Sequence, residues 1–134
     1  QMKFSKFIVT NEVFKIIIIK EYEMGNRAVL CLRDNGDQSF SKDAVGIYLH
    51  WHGDVNTIIT YLKTARKRMG DRLGDSTYAK ARLIGVVHDS IDGNLSLGLG
   101  LVGDLDYDNS DNGTYVINCE KLTISGRKYN NYGE

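Results

Sequence analysis

A chain of 134 residues, 42% hydrophobic and 25% charged, is long enough to bury one core and too apolar to stay unfolded. Lysine plus arginine and aspartate plus glutamate both number 17, and a formal net charge of zero excludes a global attraction to nucleic acid or to an anionic membrane. No apolar run reaches the roughly 18 residues that a membrane span needs.

Phe4 to Thr10 and Val13 to Glu21 read as strands, joined by a turn at Thr10-Asn11-Glu12. Lys3 and Lys6 precede them, but Glu12 and Lys15 break any secretory apolar region, so the expected location is the cytoplasm. Arg27 to Arg33 is the next strand, followed by a turn at Asp34-Asn35-Gly36-Asp37. Val45 to Trp51 alternates. Val45, Ile47, Leu49 and Trp51 share one face; Gly46, Tyr48, His50 and His52 share the other.

Asp54 is placed to cap a helix whose apolar stripe is Val55, Ile58, Ile59, Leu62, Ala65 and Met69, with Gly70 as the stop. Ser76 or Thr77 is expected to cap a second helix, with Ala79, Leu83, Val86, Val87 and Ile91 inward and Asp92-Gly93-Asn94 at its end. Leu95, Leu97, Leu99 and Leu101 alternate with Ser96, Gly98 and Gly100, which gives a strand with a leucine face and a bare face. A loop from Gly103 to Gly113 follows, then strands over Thr114 to Cys119 and Lys121 to Ser125. Arg127 to Glu134 reads as a polar tail. The order implies an α+β fold: a mainly antiparallel sheet with two consecutive helices packed on one face. The expected organisation is an N-terminal strand extension over residues 1–23 and a single α+β domain over 24–134. Met2 is the expected initiator after Gln1, with Met24 a second possible start.

Charge is unevenly spread. Lys63 to Arg82 holds seven basic residues and two acids; Leu83 to Glu120 holds seven acids and no lysine or arginine. The blocks either neutralise each other in the fold or make two faces of opposite sign. Cys31 and Cys119 lie in apolar stretches without disulfide-framework or metal spacing, and read as buried thiols in a reducing compartment.

Four constellations carry chemistry, each with a plain alternative. His50 and His52 on one strand face, with His88 on the second helix, are weak metal candidates that would make a metal-dependent hydrolase; the alternative is a polar strand face. Asp104, Asp106, Asp108 and Asp111, with Tyr107 among them, form an acidic binding face. Carboxylates at alternate positions also begin calcium loops, but Asn109 and Tyr115 stand where the glycine and the bidentate glutamate belong. Otherwise this is a solvated loop whose side chains bond nearby backbone. Lys63, Arg66, Lys67 and Arg72 form a basic cluster suited to phosphate contacts, or simply to the helix dipole. Eight tyrosines suit a binding surface or the edges of a core. There is no P-loop, no G-x-G-x-x-G after a strand, no nucleophile elbow and no C-x-x-C. Binding rather than catalysis is the expected mode, and no cofactor is expected.

Met24-Gly-Asn-Arg-Ala-Val29, Gly46-Ile-Tyr-Leu-His-Trp-His-Gly53, the second helix through Gly93-Asn-Leu-Ser-Leu-Gly98, and Asp108-Asn-Ser-Asp-Asn-Gly-Thr-Tyr-Val-Ile117 resemble a group of small uncharacterised proteins of low-GC Gram-positive bacteria, their phages and mobile elements. The resemblance spans most of the chain after Met24 and leaves residues 1–23 outside. It transfers no catalytic residue. It implies a phage or mobile-element protein of the host cytosol that binds and inhibits a host defence protein or ribonucleoprotein, an anti-CRISPR protein being the sharpest version. A small-ligand protein that binds or sequesters a nucleotide through the glycine face and the basic cluster is the alternative.

Overall fold

The computed structural model describes residues 25–91 and 96–129. The strands read at Phe4–Thr10 and Val13–Glu21, the 1–23 extension, the helix stop at Asp92-Gly93-Asn94 and residues 130–134 lie outside the described residues. The elements run β1 (Ala28–Arg33), β2 (Val45–Leu49), α1 (Val55–Met69), α2 (Ser76–Ser90), β3 (Leu97–Leu101), β4 (Thr114–Asn118) and β5 (Thr123–Lys128). The five strands form one sheet in the order β3-β2-β1-β4-β5, antiparallel except for the parallel pair β1 and β4. This is an α+β fold with two consecutive helices packed on the sheet.

Both helices follow from local chemistry. The Asp54 carboxylate accepts from the Thr57 N–H and hydroxyl, satisfying a donor that the first turn of α1 leaves open. Ile58, Leu62, Ala65 and Met69 then fall on one buried face. α1 ends where Gly70 takes φ 53°, and a 3-10 turn over Gly70–Arg72 leads into α2. The cap of α2 is Asp75, not Ser76 or Thr77: its side chain accepts from Tyr78 N–H while both hydroxyl residues already lie in the helix.

Alternation along β1 divides the core into two layers. Ala28, Leu30 and Leu32 point to the helices with Ile47, Leu49, Tyr115 and Ile117. Val29 and Cys31 point the other way with Val116, and there Val102, Phe40, Ala44, Tyr48, Leu105 and Tyr107 cover them. No α-helix lies on that side among the described residues. Two loops, 34–44 and 102–113, form the cover, tied together where Val102 N–H donates to Ala44 O and Gly103 N–H to Lys42 O. Cys31 and Cys119 are buried free thiols, the latter pushed up to about 12 by burial.

Two strand limits and one strand face differ from the sequence reading. β2 stops at Leu49, and His52 takes φ 64°, so the His50-Trp51-His52 alternation does not continue the strand. The bare face of β3 is covered from within the chain, by Tyr48 beside Gly98 and Leu105 beside Gly100, whereas Leu99 and Leu101 at that edge are exposed. β5 runs through Lys128, so Arg127 and Lys128 belong to the sheet and not to a tail.

β1 carries the packing. Replacing Leu30, which is wholly buried, with alanine is expected to cost about 2–5 kcal/mol in urea unfolding. Leu99→Ala, at a position 63% exposed, is expected to change stability by less than about 0.5 kcal/mol.

Candidate binding site

A hydrogen-bonded polar network lies where β1 begins, β2 ends and β4 begins. Gly53 packs there because a Cβ would stand 2.6 Å from Asn26 O and 2.7 Å from the Ala28 Cβ. Its carbonyl accepts from the buried Tyr115 hydroxyl at 2.8 Å, and burial pushes that phenol up to about 12. Asn26 joins the two sides: its amide donates to Asp54 at 3.3 Å, and its oxygen accepts from the Asn112 amide at 2.6 Å.

The 104–113 loop is built around Asn109. This side chain is 2% exposed, and all its hydrogen-bonding capacity goes to backbone. Its oxygen accepts from the N–H groups of Asp111, Asn112 and Gly113, and its amide donates to the carbonyls of Asp106 and Gly113. The carboxamide thus replaces the secondary structure that the loop lacks. Gly113 closes the loop at φ 68° against the Lys128 carbonyl, a place with no room for a Cβ.

Arg27 clamps the same loop from below. Its guanidinium lies 2.9 Å from both Asp106 and Asp111, and the Arg27 N–H also donates to Asp111. Hydrogen bonding and charge from Asp111, working against partial desolvation, hold the guanidinium above its ordinary value. Burial works to raise the Asp111 carboxyl, but hydrogen bonds and charge from Arg27 overcome it and hold Asp111 below the usual carboxylate range. Asp104, Asp106 and Asp108 are exposed, and Tyr107 is half-buried among them.

The sequence-derived sites are partly dispersed. Tyr48 Oη meets His50 Nδ1 at 2.9 Å, the positive φ of His52 breaks the shared strand face, burial lowers His52, and His88 is exposed on α2. No three His, Cys, Asp or Glu side chains are grouped to hold a metal ion among the described residues, whether at these histidines or in the aspartate loop. In the basic cluster, Arg66 donates to Leu122 O and Arg72 stacks on Tyr78 at 3.8 Å, while Lys63 and Lys67 are exposed. On the glycine face of β3, Tyr48 lies beside Gly98 and Leu105 beside Gly100.

Sequence reasoning missed a cleft of about 330 Å³ beside the aspartate loop, lined by Phe40, Lys42, Tyr107, Asp108, Lys128 and Tyr129. Its residues come from three separate segments, and no local spacing announces it. Asn109 fits the plain reading of a loop whose side chains bond nearby backbone, but that reading makes the loop solvated, and Asn109 is buried. Asn26 and Arg27, Gly53, and Asp111 to Tyr115 meet here from three separate stretches of the chain. In comparisons with known proteins, the chain matches no family model, no curated protein and no solved structure.

Asn109→Ala is expected to destabilise the protein by about 2–4 kcal/mol, because it strands several backbone groups that Asn109 now satisfies; denaturant titration reads this. A carboxyl held low in the fold contributes stability above its unfolded value, near about 3.9, and loses that contribution as pH falls toward its folded value. The stability gap between the parent and Asp111→Asn is therefore expected to be full at pH 7 and to shrink below about pH 4.

Proposed function

We propose that the protein acts by binding, without catalysis, as a phage or mobile-element inhibitor of a host defence complex, with CRISPR effectors the first class to test. The contact surface in this reading is the 104–113 loop, and the place of action is the host cytosol.

One observation carries the reading. The loop is fixed from inside by Asn109 and from below by Arg27, yet it turns Asp104, Asp106 and Asp108 outward beside Tyr107. A loop already held in one conformation loses little entropy on docking. Tyrosine adds a flat amphipathic contact with two rotatable bonds to order. Arg27 offsets part of the charge of Asp106 and Asp111, so recognition here rests on fixed carboxylate positions more than on bulk mimicry of a polyanion. The resemblance to small phage-linked proteins supplies the setting, and a host protein or ribonucleoprotein is the partner.

The test is target cleavage by purified Gram-positive CRISPR effector complexes with increasing amounts of this protein. Inhibition is expected from the parent. The combined Asp104→Asn and Asp108→Asn variant, which leaves the Arg27 pairs intact, should lose at least about tenfold in potency with its melting temperature nearly unchanged. No inhibition across the panel overturns the defence reading; full inhibition by the variant overturns the loop as the contact surface.

A further inference from the structure

We infer that the cleft between the two covering loops binds a free nucleotide, with the base on the aromatic walls and the phosphate on two lysines. The proposal stands on the cleft and is independent of any host partner.

The cleft has about 330 Å³, the lower end of the range for small-molecule sites. Its walls are rings. Phe40 and Tyr107 have centroids 5.6 Å apart at 54°, and Tyr129 lies at the rim, 46% exposed. Tilted rings beside an open cleft give a flat heterocycle faces to stack on. The cations are already gathered there. Lys42 Nζ lies 5.1 Å from the Tyr107 ring centre and Lys128 Nζ 5.3 Å from that of Phe40. Neighbouring Arg127 stacks on Tyr129 at 4.1 Å and donates to its hydroxyl, which fixes the rim.

The remaining lining residue selects among anions. Asp108 lines the same cleft, and Lys42 is held above its ordinary value chiefly by hydrogen bonding to Tyr107, with a smaller contribution from the charge of Asp108. A bare phosphate would meet that carboxylate as repulsion. A base that carries an amino group meets it as a hydrogen-bond acceptor while its phosphate reaches the lysines. Adenine, guanine and cytosine nucleotides satisfy this; uracil lacks the amino group. A single-stranded nucleic acid needs a positive track beyond the first nucleotide. The chain has zero net charge, and the loop beside the cleft carries exposed Asp104 and Asp106, so a free nucleotide fits better than a strand.

Calorimetry at low salt on the purified full chain tests this, with AMP, GMP, CMP and UMP, and with ribose 5-phosphate, inorganic phosphate and a six-nucleotide single strand as comparators. At least one amino-bearing nucleotide is expected to bind one to one, at least tenfold tighter than UMP or ribose 5-phosphate. Lys42→Ala with Lys128→Ala removes two exposed side chains without touching the core, and should weaken that binding at least tenfold. Phe40→Leu should weaken it likewise, and Lys121→Ala, on the turn between β4 and β5, should leave it unchanged. Saturation by no nucleotide at millimolar concentration overturns the proposal, as does equal binding of ribose 5-phosphate or an unchanged affinity in the double lysine variant. Tighter binding of the oligonucleotide overturns the free-nucleotide assignment. None of these readouts involves a defence complex, so this site and the inhibitor reading fail separately.

Discussion

β4 runs parallel to β1 and beside it, and that pairing forces the chain to cross the sheet. β3 leaves the sheet at Leu101, the end where β2 begins, while Thr114 starts β4 at the end where β1 begins. Parallel neighbours cannot be joined by a tight turn. In most folds a helix makes such a crossing. Here the 102–113 segment makes it, apart from one 3-10 turn without regular secondary structure, and it must cover Val29, Cys31 and Val116 as it goes. A segment of that kind owes its backbone hydrogen bonds to something other than a helix or a ladder. Asn109 supplies them from within, and the Arg27 guanidinium and the Asn112 carboxamide fasten the segment to the start of β1. The site is therefore a by-product of topology: the loop is rigid because it is also the second half of the core.

The charge pattern resolves in the same terms. A basic block followed by an acidic block along the chain leaves either mutual neutralisation or two opposed faces, and the ion pairs of the described residues join the blocks at Arg68–Asp89 while others reach outside them. Asp106 and Asp111 meet Arg27, which precedes both blocks, and Arg68 reaches Asp89 at 3.1 Å across the helix pair. Lys80 pairs with Asp34 at 2.6 Å, outside the acidic block. Exposed pairs such as Arg68–Asp89 contribute little to stability. The Arg27 pairs matter more for position than for energy, because two carboxylates and a backbone N–H on one planar fork fix the height of the loop over the sheet.

What could be read from the sequence follows the range of the forces involved. The helices were legible because apolar spacing acts within four or five residues, as does the Asp54 cap of α1; the Asp75 cap of α2 was hidden behind the two hydroxyl residues that follow it. β1 and β4 were legible as short apolar runs. His50-Trp51-His52 misled because alternation persists in the letters after His52 has left extended geometry. Arg127 and Lys128 read as a tail because a strand at the sheet edge need not be apolar, and its ladder to β4 leaves no local mark. The loop carboxylates were visible as candidates, but their partner Arg27 lies 79 and 84 positions away, and no spacing rule connects them. The cleft fails legibility for the same reason: Phe40, Tyr107 and Lys128 share a place only after β1, β4 and β5 have set it.

This dependence decides which substitutions speak about function. Asn109, Asp111 and Gly113 lie within the loop that would dock, yet each also holds the cover of the second core layer, through buried hydrogen bonds, the Arg27 clamp and a positive φ respectively. Loss of activity on changing them would report a loosened loop as readily as a lost contact. Asp104, Asp108, Lys42 and Lys128 are exposed, and replacing them leaves the Asn109 network whole. The outward residues separate binding from folding, and the inward ones tie binding to it. A protein that uses part of its core cover as its contact surface keeps that surface in one shape at no further entropic cost, and it loses the surface whenever the cover comes away from the sheet.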